Sequence, residues 1–139
     1  MVKVANHEVL VVDLAERMRG EPFVWGSTDC VSICRRTLTT MLGTDPWRDS
    51  VPRYATLREA RRVFDRVDMA TIWDGAIEVR DRLIVTGDIG VAPARDDYNL
   101  PSLYVALPRS LALIANASEG TTTIRRQRLL QGTRWYRYG

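Results

Sequence analysis

The sequence predicts an α+β domain, with helices in the N-terminal half and a small antiparallel sheet after them. Two features of the chain support this prediction. Apolar residues recur at helical spacing up to about residue 67, whereas short apolar and β-branched runs separated by turn residues follow from about Leu83. At 139 residues the chain is long enough for one hydrophobic core and leaves little room for a second, so we expect a single domain over residues 1–139.

The first predicted helix spans residues 7–19, with Asn6 as a suitable N-cap and Gly20 as a suitable end. Its apolar stripe is predicted to consist of Val9, Leu10, Leu14 and Met18. The second helix is expected from about residue 29 to 42. Its apolar positions fall on one face, which we expect to be buried, and Gly43 supplies the C-terminal stop.

A third helix is predicted to begin after Thr56, because Thr56 and Glu59 have the spacing of a capping box. Residues 70–80 are predicted to form a short fourth helix. The predicted strands, separated by turns rich in Gly, Pro and Asn, are 84–85, 89–91, 103–107, 111–114 and 121–124. Helices followed by strands indicate an α+β domain with an antiparallel sheet.

The composition, 45% hydrophobic and 27% charged, is typical of a soluble globular protein. No apolar run approaches the roughly 20 residues that cross a bilayer, and the apolar segment 9–12 is too short for a signal peptide. We therefore expect a chain that is made and folded in a cytoplasm, without a membrane anchor. Cys30, Cys34 and the single histidine, His7, do not supply the four ligands of a structural zinc site, so neither a metal nor a cofactor is expected.

Positive charge is concentrated at the C-terminal end of the chain. Residues 101–139 contain one acid, Glu119, and several arginines. These arginines are Arg109, Arg125, Arg126, Arg128, Arg134 and Arg137. Such an end can contact nucleic acid or an acidic protein surface, or it can place solvated arginines on the outer faces of strands. The segment 133–138 alternates basic and aromatic residues, which suits a nucleic-acid surface, a protein interface, or a strand with Trp135 facing the core.

Cys30 stands where a loop is predicted to turn into the second helix. Unpaired N–H groups and the positive end of the helix dipole favour a thiolate there, and the thiolate is the nucleophilic form of cysteine. Cys30 is therefore the candidate catalytic residue. The alternative is a small buried hydrophobe at the root of the helix. Cys34, one helical turn later, is predicted to belong to the core.

The segment Phe23-Val24-Trp25-Gly26-Ser27-Thr28-Asp29-Cys30 resembles the nucleophile segment of NlpC-type cysteine peptidases, which cut cell-wall peptides on a papain-like fold. Gly87-Asp88 resembles the opening of the first sheet strand in that family, although Asp88 also suits an ordinary turn. The chain is still more similar to a family of short phage proteins encoded among tail genes. Members of that family share these motifs and a C-terminal strand with a tryptophan, here near Trp135. The resemblance implies an NlpC-type, papain-like domain over nearly the whole chain.

The resemblance also implies that a catalytic group is missing. Active NlpC-type enzymes begin a sheet strand after Gly-Asp with a histidine, and here Ser102 stands at about that position. A thiol peptidase needs the imidazole to hold the thiolate and to protonate the leaving amine, a contribution of roughly a hundred- to ten-thousand-fold in rate. His7 is a remote candidate for this base, since the positive end of a helix disfavours imidazolium. We therefore expect a degenerate peptidase domain.

The expected function is that of a structural component of a bacteriophage tail, at the distal tail, tail tip or baseplate. Such a protein is made in the host cytoplasm and carried in the virion tail, with other tail or baseplate proteins as partners and peptidoglycan as a further candidate. The candidate contact residues are Arg125, Arg126, Arg128, Arg134, Trp135 and Tyr136. The alternative is a tail-associated peptidase that cuts cell-wall peptides with Cys30 as nucleophile. A nucleic-acid-binding module is less favoured, because no recognised nucleic-acid motif accompanies these arginines.

Overall fold

Three α-helices precede a six-stranded antiparallel sheet in the computed structural model, which describes residues 2–139. The helices are α1 (His7–Met18), α2 (Cys30–Leu42) and α3 (Leu57–Arg66). The strands are β1 (Ala76–Val79), β2 (Ile89–Val91), β3 (Leu103–Leu107), β4 (Leu111–Asn116), β5 (Gly120–Arg125) and β6 (Arg134–Tyr138). They lie in the order β1-β6-β2-β3-β4-β5, and every neighbouring pair is antiparallel. The predicted α+β class is confirmed. Within residues 2–139, no helix has the length and apolar character needed to cross a membrane.

Helix α2 connects the helical half of the core to the sheet. It packs against α1 on one side and against β3 and β4 on the other. Ile33 and Leu38 of α2 are fully buried, as are Leu103 and Val105 of β3. The first residue of α2 is thereby held close to the start of β3, and this contact positions the candidate site.

The C-terminal strand β6 is inserted between β1 and β2 and is tied to the interior. The indole N–H of Trp47 donates a hydrogen bond to the Tyr138 hydroxyl at 2.7 Å, and that hydroxyl donates to the carbonyl oxygen of Ile72. Burial raises the pKa of Tyr138 to about 12, so its hydroxyl keeps its proton and remains a donor. The end of the chain is therefore part of the core.

The local helix signals are confirmed where they depend on capping residues. The Asp29 side chain accepts a hydrogen bond from the Ser32 N–H at the start of α2, and Gly43 ends that helix with a φ of +73°. The Thr56 side chain accepts from the Glu59 N–H at the start of α3, as the capping box predicts. The capping residue and its partner lie three or four residues apart, so these helix ends can be predicted from the sequence.

The predicted apolar stripe of α1 is wrong in two of its four positions. Val9 and Leu10 are exposed, and the buried residues are Val11, Leu14, Ala15 and Met18. Both sets have helical spacing, so the position of α2 against α1 decides which face is buried. Asn6 precedes α1 as predicted, but it has a φ of +58° and its side chain does not cap the helix.

Two predicted elements between residues 70 and 85 are wrong. Residues 70–80 contain only a short 3₁₀ turn, Thr71–Trp73, followed by β1, which pairs with β6 about sixty residues away. Residues 84–85 form no strand, because the Val85 N–H donates to the Asp88 carboxylate within a turn. Strands β2 to β5 lie where the sequence predicts them, and β6 contains Trp135 as the resemblance implies.

Gly26 allows two backbone segments to touch. Its φ of +80° lies in the left-handed region, and a Cβ at this position would be 1.9 Å from the carbonyl oxygen of Tyr54. Gly20 has the same φ of +80°, but no atom lies within 4 Å of its Cβ position. Both glycines therefore adopt a left-handed backbone conformation, but only at Gly26 would a Cβ atom also collide with neighbouring main-chain atoms.

We expect Gly26→Ala to lower the free energy of unfolding by roughly 3 kcal/mol or more, because left-handed strain adds to a collision with main chain. The matched control Gly20→Ala carries the strain alone and should cost about 1–2 kcal/mol. Urea denaturation followed by tryptophan fluorescence measures both losses. Equal losses in the two variants would mean that the Tyr54 backbone does not restrict position 26.

Candidate functional site: the cleft beside Cys30

A cleft of about 300 Å³ opens at the N-terminal end of α2. The start of α2, the residues that lead into β3 and the loop 93–101 all contribute to its lining. Cys30 and Ser102 share this lining with aromatic and carboxylate side chains, which include Phe23, Trp25, Asp96, Tyr98 and Tyr104. The fold thus brings together the candidate nucleophile and the position where the resemblance places a histidine.

Cys30 is a neutral thiol in this setting. It is partly buried, and its Sγ donates a hydrogen bond to the carbonyl oxygen of Pro101 at 3.3 Å. Burial, with a smaller contribution from the neighbouring Asp29 carboxylate, raises the pKa of Cys30 to about 12. The start of a helix lowers the pKa of a thiol, but removal of the thiolate from water has the larger effect here. The thiolate predicted from the helix position is therefore wrong.

The buried carboxylate of Asp29 organises one wall of the cleft. It is 2% exposed and accepts hydrogen bonds from the Gly26 N–H at 2.7 Å, the Ser32 N–H at 3.2 Å and the Ser32 hydroxyl at 2.7 Å. The Tyr54 hydroxyl donates a fourth at 2.5 Å, and burial together with Asp29 raises the pKa of Tyr54 so that it keeps this proton. A buried charge is stable only when it is hydrogen-bonded in this way. Gly26 and Asp29 of the motif therefore have a structural role that does not depend on a reaction at Cys30.

No imidazole reaches Cys30 within the chain. Ser102 lines the same cleft, but a serine hydroxyl does not take up a thiol proton near neutral pH. The single histidine, His7, begins α1, and the Val4 N–H just before it donates to the carbonyl oxygen of Met41 at 2.7 Å. This contact places the start of α1 beside the C-terminal end of α2, roughly 16 Å along that helix from Cys30. The hypothesis that His7 serves as the base within one chain is therefore wrong.

Cys34 and Asp88 are structural residues. Cys34 is fully buried in α2, as predicted. Asp88 is 1% exposed, accepts from the Val85 N–H and forms an ion pair with Arg137 at 2.9 Å, so it does not line the cleft. The interpretation of Gly87-Asp88 as a turn before a strand is confirmed. Over residues 2–139, no group of three or more His, Cys, Asp and Glu side chains is arranged to hold a metal ion.

Trp135 and Tyr136, two of the candidate contact residues, make contacts inside the protein. Trp135 is 3% exposed, and its ring covers Gly90, where a Cβ would lie 3.0 Å from the indole. The ring of Tyr136 stacks on that of Trp73, with centroids 4.2 Å apart. The alternative in which Trp135 faces the core is confirmed.

The candidate arginines divide into paired and unpaired residues. Arg134 forms an ion pair with Glu78 at 2.5 Å, and Arg126 donates to a main-chain carbonyl oxygen at 3.1 Å. Arg125 and Arg128 are exposed and take part in none of the ion pairs found in residues 2–139. The basic C-terminal end is therefore partly neutralised.

The sequence patterns predict only a turn at residues 93–101, yet Asp96 and Tyr98 from this loop line the cleft. The Asp96 carboxylate accepts from the Tyr98 N–H at 2.9 Å and from the Leu100 N–H at 3.0 Å, which holds the loop in shape. The signal for this role was the run Asp96-Asp97-Tyr98 directly before the strand that follows Ser102. No pattern in the neighbouring residues predicts that this run lies beside Cys30.

We expect iodoacetamide to alkylate Cys30 in a Cys34→Ala background about a thousandfold more slowly at pH 8 than a free thiol. The ordinary pKa is 9.0 and that of Cys30 about 12, so the folded protein holds about a thousandfold less thiolate at this pH. The rate should still rise about tenfold per pH unit up to pH 11, and guanidinium should abolish the difference. A rate that is already at its plateau by pH 7 would contradict the neutral thiol.

No curated protein matches the chain. A solved structure with a similar fold is that of RipD from Mycobacterium tuberculosis, described as a non-catalytic NlpC/p60 domain protein with an adaptation to peptidoglycan-binding function. The two chains share 13% sequence identity at a TM-score of 0.58, over 96% of this chain and 98% of RipD. This likeness shows an NlpC/p60-like fold, as the sequence motifs predicted. A family model described as "Domain of unknown function (DUF6950)" matches residues 2–135, and the chain therefore belongs to that family.

Proposed function

We propose that the protein is a structural component of a bacteriophage tail, built on an NlpC/p60-like domain without peptidase activity. The observation that supports the proposal is that Cys30, at the position of the nucleophile, has no histidine beside it to act as a base. Cys30 is held as a neutral thiol against the carbonyl oxygen of Pro101, and Ser102 occupies the place of the histidine.

The proposal expects no peptidase activity, because the cleft lacks a base. A thiol peptidase must remove the proton from sulfur and later return a proton to the leaving amine, and both steps use an imidazole. In this cleft the carboxylate of Asp29 is engaged by four donors and so is not free to accept the thiol proton. Burial and the nearby carboxylates raise the pKa of Cys30 more than hydrogen bonds from the main chain of Leu103 and Val31 lower it, so the thiol form is favoured.

The tail assignment rests on the similarity of motifs to short phage-tail proteins. The Phe-Val-Trp-Gly segment, Gly87-Asp88 and Trp135 each serve the fold: Gly26 admits the Tyr54 backbone, Asp88 anchors Arg137, and Trp135 covers Gly90. A rigid domain with its last strand buried in the middle of the sheet suits a building block that must hold its shape in a particle. Such a component is made in the host cytoplasm and carried in the virion tail, at its distal end, tip or baseplate.

The phage or prophage that encodes the chain provides the test. We expect mass spectrometry of purified virions to find the protein in the tail fraction, and deletion of its gene to yield particles with defective tails. Complementation with Cys30→Ala should restore infectivity fully, because the proposal needs no nucleophile. Intact, infectious virions without the protein would rule out the structural role.

A second candidate function is the binding of a cell-wall peptide in the cleft without cleavage. The observation that favours it is the open cleft itself, whose aromatic walls and Asp96 carboxylate suit a peptide that bears an amine. RipD is described as adapted to peptidoglycan binding on a similar fold. The remaining alternative, a peptidase that uses Cys30, predicts cleavage at the same place.

Purified sacculi and soluble muropeptides separate these possibilities. Under the binding hypothesis sacculi retain the protein, Tyr98→Ala reduces retention at least fivefold, and muropeptides stay uncut. Tyr98 lines the cleft and is 55% exposed; the control Leu130→Ala changes a 62% exposed residue outside the cleft and should leave retention unchanged. Cleavage of muropeptides that disappears in Cys30→Ala would instead establish a peptidase.

A further inference from the structure

The charged residues that line the cleft beside Cys30 are all acidic. Asp29 and Asp96 belong to the lining, whereas no lysine, arginine or histidine does. The chain as a whole has 20 lysines and arginines against 17 acidic residues, so the lining reverses the overall balance of charge. Neither carboxylate takes part in an ion pair found in residues 2–139. The cleft therefore has negative charge that no cation of the chain compensates.

Asp96 is the carboxylate that a ligand in the cleft can reach. Both oxygens of the 2% exposed Asp29 already accept hydrogen bonds from neighbouring groups. The Asp96 side chain is exposed, and its Oδ1 accepts from the N–H groups of Tyr98 and Leu100. Its Oδ2 accepts none of the hydrogen bonds found in residues 2–139, which leaves this oxygen available to a ligand.

Arg95 precedes Asp96 in the chain, but its guanidinium group is bound elsewhere. It donates to the carbonyl oxygen of Phe64 at 2.8 Å and to that of Asn99 at 3.0 Å. The charges of the two cleft carboxylates act inside the cleft, since both add to the effect of burial in raising the pKa of Cys30. A cation that enters the cleft is attracted by the same charges.

Aromatic rings line the cleft beside these carboxylates. Elsewhere in the chain the aromatic side chains are buried, except for the stacked pair of Trp73 and Tyr136. The rings of Phe23 and Trp25 meet edge to face, with centroids 4.8 Å apart and planes at 85°, and so form a corner. The faces of aromatic rings attract cations. The four aromatic residues of the lining, none of them fully buried, are Phe23, Trp25, Tyr98 and Tyr104.

The hydrogen-bond acceptors of the cleft distinguish between kinds of cation. A primary ammonium group has three N–H donors, each of which needs an acceptor when it leaves water. The Asp29 oxygens are occupied, and the carbonyl oxygen of Pro101 accepts from Cys30. One oxygen of Asp96 and the hydroxyl groups remain. A methylated ammonium group has the same charge without these donors, so aromatic rings and one carboxylate suffice to bind it.

We propose that the cleft binds a methylated ammonium group, with the aromatic rings against its methyl groups and Asp96 beside its charge. The inference rests on the second candidate function in that both use the cleft as a binding site, but it needs neither a peptide nor a reaction at Cys30. The cleft volume of about 300 Å³ is suited to a small ligand or to the end of a larger one.

Isothermal titration calorimetry of the full chain tests the proposal with choline as the probe. The uncharged isostere of choline is neohexyl alcohol, which has a quaternary carbon in place of the nitrogen. We expect saturable binding of choline, and binding of the isostere that is weaker by about tenfold or more. Ethanolamine, the primary-amine counterpart, should bind roughly fivefold more weakly than choline because its N–H groups lack acceptors.

Two substitutions identify the groups that bind the probe. Asp96→Asn removes the charge but keeps the oxygen that accepts from Tyr98 and Leu100, and it should weaken choline binding by about fivefold or more. The matched control is Asp97→Asn, which removes an exposed carboxylate outside the lining and should change affinity by less than about twofold. Tyr98→Leu removes a ring that is 55% exposed, and it should weaken binding by roughly fivefold while the thermal melt stays unchanged.

Four results would overturn the proposal. They are absence of choline binding, equal affinity for choline and its isostere, equal losses in Asp96→Asn and Asp97→Asn, and tighter binding of ethanolamine than of choline. Retention by sacculi is a separate measurement, so choline binding without retention would support this site and count against the peptide candidate. Vesicles of phosphatidylcholine distinguish the source: co-sedimentation would support a lipid headgroup, and choline binding without it would support a soluble ligand.

Discussion

The hydrogen bonding of the buried Asp29 carboxylate is the interaction on which the geometry around Cys30 depends. A charge that is 2% exposed needs donors on several sides, and three different parts of the chain supply them. Gly26 brings the preceding turn, Ser32 the first turn of α2, and Tyr54 the loop before α3. Loss of any one leaves the others bound to a charge that is less well compensated.

The same interaction determines the chemistry of its neighbour. Cys30 follows Asp29 in the chain and is therefore buried beside a negative charge, with its thiol donating to Pro101. In an active thiol peptidase an imidazolium would compensate the thiolate, but Ser102 does not provide one. The Trp-Gly and Asp-Cys residues thus build one wall of the cleft, and burial keeps Cys30 in the thiol form. The motif is evidence for the fold rather than for the reaction.

The tertiary structure changes the charge asymmetry that the sequence shows. Arg134 and Arg137, two of the C-terminal arginines, form ion pairs with Glu78 and Asp88. Glu78 lies in β1, which pairs with the C-terminal strand β6, and Asp88 is buried. Carboxylates from earlier segments of the chain therefore neutralise part of the basic C-terminal end.

Features that depend on neighbouring residues could be predicted from the amino-acid sequence alone. The Asp29 and Thr56 caps, the Gly43 stop and the hairpins of β3 to β5 involve partners a few residues apart, so their signals are local. The absence of the expected histidine could also be predicted from the sequence, because Ser102 stands at about its position and His7 is the single histidine of the chain. Four further features follow from the tertiary structure: the buried face of α1, the pairing of Ala76 with Tyr138, the place of Asp96 in the cleft and the neutral state of Cys30. These four features depend on contacts between segments that are distant in the sequence and on the removal of water from buried groups. Neither cause produces a recognisable pattern of neighbouring residues in the sequence.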